Sequence, residues 1–235
     1  MPRREDEHWL AQHPPACTCV ACAEKRLRRL GVRRGPPGRW ETLARQLAWL
    51  AGTAAFFAAL SFAFSLFGLL GKPEPQPARP PGLQFGSLAL EIGSHFVFGF
   101  VVGLATRQLR YALLAGAAAV AVDVDHVLWL LGVQTDRRAS HALLFLLASA
   151  PLVGLVFATE TRQRLLTGVV IAGAVVSHLA FDALYGESGF PLLSPFTFTL
   201  VVLPPWVGAA LEAAAFVAVL AVALALRERP VRPRR

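Results

Sequence analysis

Residues 165–184 read LLTGVVIAGAVVSHLAFDAL. From Leu165 to Val176 nothing is more polar than Thr167. At about 1.5 Å per residue a helix of this length covers roughly 30 Å, the thickness of a bilayer's hydrocarbon core. His178 and Asp182 then follow four residues apart, which places them on one helix face. An Asp at the centre of a membrane helix costs about 2.5–3.5 kcal/mol on insertion scales. A segment that carries one is therefore expected to turn it toward a partner rather than toward lipid. The stretch sets two expectations together: a membrane-spanning helix, and a site built on it.

Five further apolar segments have comparable length: about 46–70, 85–105, 111–133, 141–158 and 200–226. The composition agrees. Of 235 residues 55% are apolar and 16% charged, where soluble domains average about 25% charged, and the mean hydropathy is +0.51. This rules out a disordered chain. The expected fold class is an all-α, polytopic membrane helix bundle with about six transmembrane helices. Residues 71–84 carry Pro73, Pro75, Pro77, Pro80 and Pro81, a spacing that favours an extended linker over a helix. The chain thus divides into a basic segment (1–45), a first helix (46–70), the Pro-rich linker (71–84), a core (85–199), a last helix (200–226) and a basic tail (227–235). No fixed-period repeat is apparent. No signal peptide is expected, because about 40 polar residues precede the first apolar run.

The formal charge is +8, and its distribution gives the orientation. With the N-terminus cytoplasmic, only Lys72, Arg79, Arg137 and Arg138 of the 23 Lys and Arg residues fall outside. Arg near membrane ends is a topology signal and matches anionic lipid. Both termini are therefore expected in the cytoplasm of a multi-pass inner-membrane protein. The basic balance calls for the lipid bilayer as partner and not for nucleic acid. Gly99 and Gly103 form a small-residue face that serves packing within the chain or between chains, so the oligomeric state stays open.

The polar residues within or at the ends of the spans are Glu91, His95, Asp123, Asp125, His126, His141, His178, Asp182 and Glu212. The topology brings His and Asp from four spans to a similar depth near the outer face. Asp123 and His126 are three apart and share a helix face, as do Glu91 and His95, four apart. Asp125 points about 160° from Asp123 in a regular helix, so equal roles for all three require an irregular one. Imidazole and carboxylate ligands suit Zn²⁺, Mn²⁺ or Fe²⁺, and such an ion with an open position supplies a nucleophilic water. The alternatives are a proton or ion pathway and interhelical hydrogen bonding. Glu212 is read as structural, and Glu91 is left between the site and structure.

Ser94-His95 opens a Gly-rich span, followed by Asp123-Val124-Asp125-His126, Arg138-Ala139-Ser140-His141, His178-Leu179-Ala180-Phe181-Asp182, Gly189 and Leu193-Ser194-Pro195-Phe196. In this order the motifs resemble those of the YdjM-like family of inner-membrane proteins, described as membrane-bound metal-dependent hydrolases. The resemblance covers about 85–199. Val122 stands where the family usually has Pro, and Ala139 and Ala142 replace its usual Gly and Ser. Carried over, the resemblance implies metal binding by His95, Asp123, Asp125, His126, His141, His178 and Asp182. The function expected is hydrolysis of an ester or phosphoester, with a carboxylate such as Asp125 or Glu91 as general base. Arg137 and Arg138, beside His141, could pair with a phosphate oxygen or serve as a loop anchor. The aromatic loop 185–199 reads as an interfacial lid or an aromatic belt. A site at headgroup depth favours a lipid substrate. The runner-up is a proton- or metal-ion-coupled transporter using the same residues, and a third reading is a structural membrane protein.

A second constellation lies near the N-terminus. His13, Cys17, Cys19 and Cys22 could close a Cys₃His structural zinc site, with His8 as an alternative fourth ligand. In the reducing cytoplasm these thiols stay free of disulfides. A redox or lipidated cluster and an inert tail are the other readings.

Overall fold

The computed structural model describes residues 38–67, 85–126, 139–185 and 189–227, with the side chains of 85–88 and 125 outside that description. The chain divides into two units, Met1–Arg45 and Gln46–Arg235, and every site residue described belongs to the second. The described residues form six α-helices: α1 (Arg39–Ser65), α2 (Phe85–Leu104), α3 (Leu109–Ala121), α4 (Leu143–Phe157), α5 (Thr161–Tyr185) and α6 (Pro205–Ala225). No strand forms among them, and Phe190 and Val201 make an isolated antiparallel bridge. The protein is all-α, as the apolar segments require. By length and composition α1, α5 and α6 can each cross a membrane, while Ala89–Leu104 and Leu143–Phe157 are shorter apolar helices.

The first helix begins at Arg39 rather than at about 46, running through charged residues that the hydropathy reading leaves out. Three further element ends also differ from that reading. The α conformation of α3 stops at Ala121, and Val122–Asp125 tightens into a 3₁₀ turn. Asp123 there has φ −86° and ψ 17°, in the sparsely populated bridge region where active-site residues are often found. His141 does not begin α4 but sits in a separate 3₁₀ turn, Ala139–His141. The last helix starts at Pro205 rather than at 200. Proline suits a first helical position because its missing N–H is not needed there, and Val201 is engaged with Phe190 instead.

The central element is α5, which packs against α2, α3, α4 and α6. Its apolar window is 72% buried, against 17% for α1 and for α6. Small residues allow these close approaches. A Cβ on Gly99 would come within 2.5 Å of the Ala115 carbonyl, and one on Gly103 within 2.5 Å of the Ala112 Cα. The Gly99/Gly103 face thus serves the α2–α3 contact inside the chain. Gly208 does the same between α6 and α5, where a Cβ would lie 2.6 Å from the Ala180 carbonyl.

The end of the bundle away from Asp182 is tied by Arg and Trp. Trp49 Nε1 donates to the Phe157 carbonyl at 2.9 Å. The Arg110 guanidinium lies 5.7 Å from the Trp49 ring centroid and 4.8 Å from that of Tyr111. Arg164 Nε donates to the Ala158 carbonyl at 2.9 Å, closing the α4–α5 turn.

Candidate metal centre

Four separate stretches deliver side chains to one place. His95 comes from the middle of α2, Asp123 from the turn that ends α3, and His141 from the turn that precedes α4. His178 and Asp182 come from one face of α5. The turns matter. Helix ends leave carbonyls without intrahelical donors, and side chains of other elements take them. Val122 O accepts from Ser61 Oγ at 2.8 Å, and Ala119 O accepts from His178 Nδ1 at 2.8 Å.

The second of these bonds has chemical consequences. A carbonyl only accepts, so Nδ1 of His178 carries a proton, and in the neutral ring Nε2 carries the lone pair. That Nε2 lies 2.9 Å from His141 Nε2, 3.2 Å from Asp182 Oδ2 and 3.5 Å from Asp123 Oδ1. His141 Nε2 is 3.4 Å from Asp182 Oδ2 and 3.5 Å from Asp123 Oδ1. His95 Nε2 is 3.3 Å from Asp182 Oδ1 and 3.5 Å from Asp123 Oδ2. All three Nε2 atoms therefore face both carboxylates. On the far side of its ring His141 Nδ1 meets Ser140 Oγ at 3.1 Å. The His95 and His178 rings stack at 4.1 Å, the edge of Phe181 closes on His95 at 4.6 Å, and Phe190 lies parallel to His141 at 6.3 Å.

This arrangement fits a divalent cation better than a closed ring of hydrogen bonds. His95 is 2% exposed, yet neither of its ring nitrogens makes a hydrogen bond among the described residues. Buried polar atoms left this way cost about 1–3 kcal/mol each. Two carboxylates in so enclosed a place also need compensating positive charge. With bonds of about 2.0–2.2 Å to nitrogen and oxygen, neighbouring ligands of one ion stand about 3.0–3.5 Å apart. The observed separations of the cluster, from 2.9 to 3.5 Å, have that spacing. The imidazole–carbonyl bond of His178 and the imidazole–hydroxyl contact of His141 are the outer partners that metal-binding histidines usually have.

Of the residues singled out from the sequence, His95, Asp123, His141, His178 and Asp182 come together here. His126 and Glu91 do not join the same five; they group with Asp123 alongside. The side chain of Asp125, and the whole of Arg137, Arg138, His13, Cys17, Cys19 and Cys22, lie outside the described residues. Glu212 stands apart on α6. Sequence reasoning passed over two contributors. Ser140 stood in a quoted motif beside His141 without a role, and its neighbouring hydroxyl is the signal that could have found it. The Ala119 carbonyl has no side-chain signal at all.

No curated protein and no solved structure matches the chain. The profile of the YdjM inner membrane proteins matches residues 90–231. That region begins within α2, runs past the end of α6 and includes all five clustered residues. An ordered set of His and Asp in apolar helices, and a match over more than half of the sequence, lead to one conclusion: the chain belongs to the YdjM inner membrane protein family.

Proposed function

We propose that this membrane protein is a multi-pass, divalent-metal-dependent hydrolase of an ester or phosphoester bond, with its site at the extracytoplasmic face and both termini in the cytoplasm. The observation that carries the reading is the convergence of the His95, His141 and His178 Nε2 atoms on the Asp123 and Asp182 carboxylates. When bound, the cation supplies Lewis-acid polarisation and a water of lowered pKa. The chain's own residues do the rest. Ser140 and the Ala119 carbonyl orient two of the imidazoles. Phe181 and Phe190 screen the rings from water. Proton acceptance is assigned to a carboxylate, Glu91 or Asp125.

Orientation is supported by the Arg residues. Arg107 and Arg110 lie at the α2–α3 turn, Arg162 and Arg164 at the α4–α5 turn, and Arg227 after α6. Chain direction puts all of them at the opposite end of the helices from the cluster. Positive residues favour the cytoplasmic side. A lipid-linked substrate is supported by the loop that follows α5. Leu192 O caps α4 by accepting from Leu143 N at 2.9 Å, close to His141, while Phe196 in the same loop is 84% exposed. A hydrolase is favoured over a proton relay by the rest of the core. Among the described residues the buried His and carboxylate side chains are His95, His141, His178 and Asp182. Toward the Arg-rich end the buried positions hold no His or carboxylate; they are apolar, as at Leu114, Ala118, Val170 and Ile171, with the hydroxyl residues Thr106, Tyr111 and Thr167 among them.

The test is an assay of purified full-length protein in mixed micelles with Mn²⁺ or Zn²⁺, using nitrophenyl esters, nitrophenyl phosphate and phospholipids. Metal-dependent release that His178→Ala abolishes is expected. Release that persists unchanged in His178→Ala would refute the reading.

A further inference from the structure

The helix face and the turn that give His95 and Asp123 to the buried cluster also carry Glu91 and His126. Glu91 precedes His95 by about one helical turn on α2, about 6 Å along the axis, and His126 closes the 3₁₀ turn that begins just before Asp123. One ligand atom each from Glu91, Asp123 and His126 lie within 4.8 Å of one another, a grouping that could hold one metal ion. Asp123 belongs to this group and to the buried one alike. The shared Asp123 ties the outer group to the buried one. The imidazole of His95, buried and with no hydrogen bond on either ring nitrogen, stands 3.5 Å from Asp123 Oδ2.

We infer that the protein has two divalent-cation positions joined by the Asp123 carboxylate, the outer one held by Glu91, Asp123 and His126. This rests on the metal reading of the buried cluster and extends it. The two positions differ in character. The buried one has five protein residues around it. The outer one has three protein ligands, all partly exposed, which leaves positions open to water and substrate. Paired ions about 3.5–4 Å apart, bridged by a carboxylate, suit the two oxygens of a phosphoester in displacement. The substrate class is therefore a phosphoester rather than a carboxylic ester. Glu91 becomes a ligand, and the proton-accepting role passes to Asp125.

The experiment counts Mn²⁺ bound by the purified full chain at equilibrium and records its electron paramagnetic resonance spectrum. Manganese is chosen because hard oxygen and imidazole ligands hold it and thiolates do so poorly. Wild-type protein is expected to bind about two ions with an exchange-coupled signal. His126→Ala and Glu91→Gln are each expected to retain one ion, lose the coupling, and elute and unfold as wild type. His178→Ala is expected to lose the buried ion. One ion in wild type, lost in His178→Ala and untouched by His126→Ala and Glu91→Gln, would overturn the second position and leave the first intact. No manganese in wild type, or binding that none of the variants alters, would overturn both.

Discussion

His178 shows how a single side chain is made ready for a cation. Its Nδ1 proton goes to the Ala119 carbonyl, which fixes the tautomer and turns Nε2 toward Asp123, Asp182 and His141. Ser140 steadies His141 from the other side of its ring, though a hydroxyl, which both donates and accepts, leaves the tautomer unassigned. Ser140→Ala is therefore expected to weaken metal binding about 10-fold or more, and Ser140→Thr to restore it, as read by metal titration with a competing chelator. The five clustered residues were legible in the sequence because ionisable groups are expensive in apolar helices, and their presence on several of them leaves few arrangements. The division of labour was not legible. Helical spacing groups Glu91 with His95 and His126 with Asp123, and only the fold shows which of each pair reaches the buried cluster. The Ala119 carbonyl was invisible for a simpler reason: every residue has one.

Among the elements, the close crossing of α2 and α3 depends on positions with no side chain. A methyl group on Gly99 or Gly103 would collide with backbone atoms of Ala115 or Ala112, which cannot swing aside. Gly99→Ala and Gly103→Ala are each expected to destabilise the protein by about 1–3 kcal/mol and to displace His95 from the cluster. Gly52→Ala, whose methyl would meet the Phe157 ring at 3.4 Å, is expected to be close to neutral. Thermal unfolding in detergent distinguishes the two outcomes. Hydropathy located all six helices, since an apolar run of sufficient length has few other fates. It misplaced the end of α3 and the starts of α4 and α6. Those boundaries are set by tertiary partners, such as the Ser61 hydroxyl at Val122 O and the Leu192 carbonyl at Leu143 N, which no local pattern encodes.

At the scale of the whole molecule, the cluster joins elements that are far apart in sequence, so its cation should stabilise the bundle as well as serve chemistry. Removing the ion with a chelator is expected to lower the unfolding temperature, since a ligand at 100 times its Kd contributes about 2.7 kcal/mol. His178→Ala should show no such response. Orientation is tested in intact cells. A cysteine in place of the exposed Phe196 should react with a membrane-impermeant maleimide, while Cys17, Cys19 and Cys22 should react only after lysis. The most direct test of the central claim is X-ray absorption at the K-edge of manganese, which thiolates hold poorly, bound to the purified chain. The expected spectrum shows a shell of nitrogen and oxygen at about 2.0–2.2 Å with the outer scattering of several imidazoles, and that imidazole scattering falls in His178→Ala. A sulfur shell, or a nitrogen and oxygen shell unaltered by that substitution, would show that the buried histidines and aspartates are not where the metal binds.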